Sequence, residues 1–120
     1  MDPRVESVIN IMREGLGDHL CIRMLSKSVN LSPARLRQLF KRDTGRSPME
    51  YLGDVRMRHA EHLLRNTFLS IKEVAFGSGV KHVSSFVHAF KKRHGLTPRE
   101  FRALRERPLY SVAAKGVDSE

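Results

Sequence analysis

Apolar side chains recur along this chain at steps of three and four, separated by polar and charged residues, and nowhere alternate in the two-residue rhythm of a strand. The pattern predicts an all-α chain of about seven helices, at about 3–15, 21–28, 33–44, 48–65, 71–77, 82–94 and 98–105. Local punctuation agrees with these bounds. Ser47 with Glu50, Ser70 with Glu73 and Thr97 with Glu100 are spaced as capping boxes, in which the hydroxyl takes the N3 amide and the glutamate reaches back. Pro48 and Pro98 fall at N1, where no amide is missed, and Asp2-Pro3 and Ser32-Pro33 open helices in the same manner. Gly45 and Gly95 stand where a helix ends on a left-handed residue. From residue 108 to 120 no periodicity remains, and that stretch reads as a mobile C-terminal tail.

The same pattern occurs twice. Leu20, Ile22, Leu25 and Leu31 match Leu69, Ile71, Val74 and Val80 at a spacing of 49. Phe40, Lys41, Gly45, Pro48, Glu50 and Tyr51 match Phe90, Lys91, Gly95, Pro98, Glu100 and Phe101 at a spacing of 50, so one residue is inserted near 81–83. Each copy has a short helix, a tight turn and a longer basic helix, which is the order of a helix-turn-helix unit. Asn30 and Gly79 occupy the turn, and these are the residue types that best tolerate a left-handed backbone. The organisation that follows is a domain over 1–107, with subdomains at about 3–46 and 67–107 joined by a long helix at about 47–66.

On the longer helices the repeat separates an inner from an outer face. Leu36, Leu39 and Phe40 correspond to Phe86, Ala89 and Phe90, the expected buried stripe. Opposite lie Ala34, Arg37, Gln38 and Lys41 in the first copy, and Ser84, Val87, His88 and Lys91 in the second, spaced to line one side of a helix in a major groove. Val87 has two readings. With Val83, Phe86 and Phe90 it completes an apolar stripe that belongs in a core, whereas the repeat sets it opposite Arg37, facing outward to a thymine methyl. The second reading is favoured, and Val83 is even between the two. Tyr51, Leu52, Val55, Leu63 and Leu64 read as core shared between the subdomains.

Charge sharpens this picture. The chain has 120 residues and a formal net charge of +9, which suits a polyanionic partner. Two windows supply that whole excess: 33–46, with Arg35, Arg37, Lys41, Arg42 and Arg46 against Asp43, and 81–102, with Lys81, Lys91, Lys92, Arg93, Arg99 and Arg102 against Glu100. Positive charge at equivalent places on both copies points to a phosphate-facing surface. No apolar run is long enough to span a bilayer, and the N-terminal residues are not those of a secretory signal, so a cytoplasmic, nucleoid-associated protein is expected. The single cysteine, Cys21, excludes an internal disulfide and reads as a plain buried thiol.

These motifs resemble those of the AraC/XylS regulators. The first carrier is L-SP-x-x-L-x-x-x-FK-x-x-x-G-x-SP-x-x-Y-L, ending at Leu52, and the second is the stretch from Ser70 to Arg102; the likeness runs from about Asp2 to Arg105. The resemblance implies a bacterial, sequence-specific regulator of transcription, an activator, whose two recognition helices enter successive major grooves on one face of DNA. Regulators of this type also generally contact RNA polymerase. The chain departs from the family on the reading face, at Ala34, Val80, Val83, Val87 and His88, so no operator sequence transfers. Asp2-Pro3-Arg4 resembles the place where such domains begin, which leaves open a stand-alone protein or the C-terminal part of a chain with an effector or dimerisation domain.

The candidate DNA-binding residues are Ala34, Arg35, Arg37, Gln38, Lys41 and Arg42 in the first unit, and His82, Val83, Ser84, Val87, His88, Lys91 and Lys92 in the second. Arg37 can donate two bonds to guanine, and Gln38 can pair with adenine. His59 and His62 lack the carboxylate or thiol partners of a tight metal site. No cofactor motif and no arrangement of nucleophile and base suggests an enzyme. Non-specific binding of DNA or RNA, and a protein-interaction module, are the rival functions.

Overall fold

The computed structural model describes residues 1–15 and 20–105. It contains α1 (Pro3–Glu14), α2 (Ile22–Ser28), α3 (Pro33–Thr44), α4 (Pro48–Asn66), α5 (Ile71–Gly77), α6 (Val83–His94) and α7 (Pro98–Arg105), and no strand among the described residues. The expected tail at 108–120, and the end of the expected domain at 107, lie outside them.

The expected punctuation is present. The Ser47 and Ser70 hydroxyls accept from the amides of Glu50 and Glu73, and those glutamates accept in return from the capping amides. Thr97 and Glu100 exchange the same two bonds at the start of α7. These amide bonds hold the Glu50, Glu73 and Glu100 carboxyls below the ordinary glutamate value. Gly45 and Gly95 close α3 and α6 at φ 78° and 77°.

Two cores form, one at each end of α4. The first unites Val5, Val8, Ile9 and Met12 of α1 with Leu25, Leu36, Leu39, Phe40 and Leu52. The second unites Met57, Ala60 and Leu64 with Val74, Ala75, Phe86 and Phe90. The residues of α4 expected to be shared are instead divided: Tyr51, Leu52 and Val55 serve the first core, Leu63 and Leu64 the second. The division follows from the helical turn. At about 100° per residue, Leu52 and Met57 point about 140° apart around the helix and so face different sides of it.

Matching aromatic pairs close the two units. Phe40 and Tyr51 meet edge to face at 5.4 Å and 79°, and their counterparts Phe90 and Phe101 at 5.3 Å and 80°. The second unit has an addition: Arg105 donates to the carbonyls of Leu64 and Thr67, and Arg102 to those of Leu64 and Leu69. Two arginines of α7 thus satisfy carbonyls at and just beyond the end of α4, groups that the helix itself leaves unpaired. Cys21 corrects its sequence reading. It is exposed at the start of α2 because its side chain precedes the first buried turn, whose apolar contact begins with Ile22.

Candidate nucleic-acid interface

Each unit is built around one turn. After α2, Asn30 adopts φ 56°, and after α5, Gly79 adopts φ 82°. These left-handed residues let the chain fold back so that the Leu31 amide reaches the Ser26 carbonyl (2.9 Å) and the Val80 amide reaches the Ala75 carbonyl (2.9 Å). Ser26 and Ala75 are equivalent and both buried, small enough for the following helix to approach. Leu31 and Val80 then turn inward onto their cores and fix how α3 and α6 leave the turn.

On α3 the structure keeps the expected face. Leu36, Leu39 and Phe40 are buried, while Ala34, Arg35, Arg37, Gln38, Lys41 and Arg42 are exposed. The Arg35 guanidinium donates to Gln38 Oε1 at 2.6 Å, which holds the Gln38 side chain over the helix surface. Arg42 pairs with Asp43 at 3.0 Å, and Asp43 also accepts from the backbone amide of Asp2, so Arg42 is partly neutralised at the flank. Together these bonds hold the Asp43 carboxyl below its ordinary range, the Asp2 amide first and Arg42 second.

On α6 the buried stripe is displaced. Phe86 and Phe90 are buried, but the flanking positions that close on the core are Val87 and His94, not Ala89. Val87 is half-buried against the second core, which corrects its placement as an outward counterpart of Arg37. Ala89, expected in the stripe as the counterpart of Leu39, is exposed. The cause is size: an alanine cannot fill the place of a leucine, and the run Val83, Phe86, Val87, Phe90 offers more apolar area on the adjacent side. His94 completes that side. It stacks on Phe90 at 3.9 Å and lies 3.0 Å from Glu61.

The face of α6 that remains exposed carries Ser84, Ser85, His88, Lys91 and Lys92. Ser85 is absent from the expected face because the line Ser84, Val87, His88 and Lys91 follows the steps of Ala34, Arg37, Gln38 and Lys41, and its counterpart Arg35 lies outside that line. Val83 is half-buried in the first turn of α6, and His82 is its exposed N-cap without a side-chain bond to the helix. The residue type explains this: His82 stands at the position of Ser32, whose hydroxyl caps α3, and makes no such bond to α6.

Not every cation of the basic windows is available to a phosphate. Arg46 and Arg93 both pair with Asp54 of α4, and Arg102 is turned inward to backbone carbonyls. Arg37, Lys41, Lys91 and Lys92 form no hydrogen bond or ion pair within 4 Å among the described residues and stand exposed on the two recognition helices. Among the described residues no group of three or more His, Cys, Asp or Glu is placed to hold a metal, and no helix is long and apolar enough to cross a membrane.

Comparison with known proteins gives this geometry a family. A family profile described as a helix-turn-helix domain matches residues 25–104. The C-terminal domain of AraT, a response regulator from Geobacillus stearothermophilus, is 30% identical, with a TM-score of 0.83 over 87% of this chain and 87% of its own. The chain belongs to the AraC family of DNA-binding transcription regulators. Among AraC-type structures, the DNA-binding domain of AdpA, solved in complex with a target DNA, is 25% identical with a TM-score of 0.84 over 91% of this chain and 98% of its own. The Msm operon regulatory protein of Streptococcus mutans is 35% identical over 98 residues, which are 82% of this chain and 35% of that protein. The chain thus spans about a third of the length of the curated AraC-type relatives it matches, 35% for each of the first two. Relatives and fold are those of transcription regulators, not of enzymes.

Proposed function

We propose that the chain reads an asymmetric promoter site by setting α3 and α6 into successive major grooves on one face of the duplex. The observation that carries this reading is the placing of two equivalent units at the two ends of one helix. At about 1.5 Å per residue, the 19 residues of α4 span about 28 Å, close to the roughly 34 Å between successive major-groove segments. The two units with their linking helix form the reading domain, over about 1–107.

In the first groove Arg37 donates to a guanine and Gln38 pairs with an adenine, its Oε1 keeping a second lone pair beside the Arg35 bond. Ala34 leaves room for close approach of a base edge. In the second groove Ser84, Ser85 and His88 supply polar contacts, while Val83 and the exposed edge of Val87 touch at most a flanking methyl. Arg35, Lys41, Lys91 and Lys92 take phosphates, with Arg42 and His82 at the margins. Because the two faces differ in chemistry, one chain recognises a site without a palindrome. The relatives' names include a lactose operon transcription activator, and activation through contact with RNA polymerase is the regulatory role we assign here.

The test is binding to a mapped promoter fragment against random duplex at about 0.15 M salt, followed by footprinting. Specific regulation gives strong preference for the fragment and two protected segments about one turn apart. A preference near unity identifies a non-specific architectural binder instead, and a single protected segment removes the two-groove reading.

A further inference from the structure

The two units meet through α4: the strong helix contacts of α1, α2 and α3 reach those of α5, α6 and α7 only by way of this helix. Between the last buried residue of the first core, Leu52, and the first of the second, Met57, lies the segment Gly53 to Arg56. Gly53 makes this the most easily deformed stretch of the spine, since glycine favours the helix least of the residues other than proline. A Cβ at Gly53 would meet nothing within 4 Å, so packing does not require the glycine.

Beside it, Asp54 accepts from both sides. One carboxylate oxygen pairs with Arg46, in the turn between α3 and α4, and the other with Arg93, near the end of the second recognition helix. The Asp54 side chain is 15% exposed, against 53% and 37% for its two partners, so the acceptor is the shielded member of the group. Among the described residues Asp54 is the one side chain that ion-pairs on both sides of the junction. The first unit has an analogous tie, in which the backbone amide of Asp2, at the start of α1, donates to Asp43 near the end of α3 at 2.8 Å. Position 43 is the repeat counterpart of 93. In each unit, then, the end of the recognition helix is tied to a neighbouring helix, and in the second the tie also reaches back to the first unit.

We propose that Asp54 is a positioning residue: by holding Arg46 and Arg93 at once it fixes the separation and rotation of the two recognition helices, and so the spacing between half-sites that the chain accepts. The spacing part rests on the two-groove reading, whereas the helix-positioning part does not. One base pair inserted between half-sites shifts the second by about 3.4 Å and about 34°, a displacement that a clasped spine resists and a glycine-hinged one follows.

Two measurements separate these parts. In the first, without DNA, spin labels are placed at Lys27→Cys on α2 and Lys72→Cys on α5, both exposed, with Cys21→Ser, and the inter-label distance distribution is recorded. Asp54→Asn broadens or shifts the distribution, Arg46→Gln does so in a chain whose second unit is untouched, and Gly53→Ala added to Asp54→Asn narrows it again. If the distributions of Asp54→Asn and Arg46→Gln, both still melting cooperatively, overlay that of the unmodified chain, the proposal is wrong. In the second, duplexes selected from a random pool by the unmodified chain are remade with one base pair added or removed between the half-sites. The preference for the selected spacing falls about threefold or more in Asp54→Asn, in line with the loss of two partly exposed ion pairs. An unaltered preference overturns the spacing claim. Indifference of the unmodified chain to spacing overturns the two-groove reading itself, and the label distances then still decide whether Asp54 positions the helices.

Discussion

Lys91 and Arg102 belong to the same basic stretch and would count equally in any tally of charge, yet the structure gives them different tasks. Lys91 stands exposed on α6, while Arg102 donates to the carbonyls of Leu69 at 2.5 Å and Leu64 at 3.3 Å. Removing one phosphate contact lowers the slope of log affinity against log salt by about 0.9, so between 50 and 200 mM salt Lys91→Ala sheds a factor of about 3.5 in salt dependence. Its stability should stay within about 0.5 kcal/mol. Arg102→Ala should behave oppositely. It strips the Leu69 carbonyl of its guanidinium, a loss of about 1–3 kcal/mol, and lowers the melting temperature by at least about 4 °C without changing the slope. Fluorescence anisotropy of a labelled promoter duplex across a salt series, well below the melting temperature, reads one quantity, and thermal unfolding the other. A slope reduced as much in Arg102→Ala as in Lys91→Ala would refute the division of the cations.

Val87→Ala removes two methyl groups from a half-buried position, and at about 0.8 kcal/mol per buried methylene it should destabilise the chain by about 1 kcal/mol with the preferred DNA sequence nearly unchanged; a changed consensus in a selection from random duplexes, with no loss of stability, would restore the outward placement. His82→Ser supplies the cap that α6 lacks and should add about 1 kcal/mol, seen as a higher denaturant midpoint at constant m. The carboxyls of Glu50, Glu73 and Glu100 are lowered from 4.5 by the capping amides, so their contribution is present above the unfolded value and is lost as pH falls below it. Replacing all three by glutamine, which keeps a capping acceptor, should flatten the stability profile between about pH 5 and pH 3; a profile parallel to that of the unmodified chain removes the carboxylates from the account.

Much of this architecture is legible in the sequence because the chain carries its own comparison. Capping residues recur at fixed offsets, so helix starts such as those at Pro48, Ile71 and Pro98 fall where these residues place them. Asn30 and Gly79 reveal the turns because few residues tolerate positive φ. The repeat misleads where the copies differ in volume. Ala89 inherits the position of Leu39 without its bulk, so α6 presents Val87 to the core and leaves Ser85 on the open face. Arg93 and Arg102 look like surface charge because their acceptors, Asp54 and the carbonyls of Leu64 and Leu69, are distant in sequence, and Arg46 does so because a helix start separates it from Asp54. Only the fold brings them together.

The repeat is also longer than the aligned residues suggest. Val5, Val8 and Met12 of α1 are buried at the same three- and four-residue steps as Met57, Ala60 and Leu64 in the second half of α4, and this offset of 52 sets Asp2 opposite Asp54. Any apolar residue satisfies those steps, so the match shows only in the polar positions, where Arg4 and Arg13 likewise meet Arg56 and Arg65. The second half of α4 is thus the first helix of the second unit, while its beginning is the last helix of the first. Two units that overlap in one helix have their relation set by residue count, since each added residue advances the helix by about 1.5 Å and turns it by about 100°. An insertion in a turn is absorbed, as the extra residue between Gly79 and α6 already shows. An alanine inserted after Val55 is not absorbed. It should leave both cores intact, with cooperative melting preserved, while swinging α6 out of its groove and reducing a two-segment footprint to one. If both segments stayed protected, α4 would not be the element that sets their register.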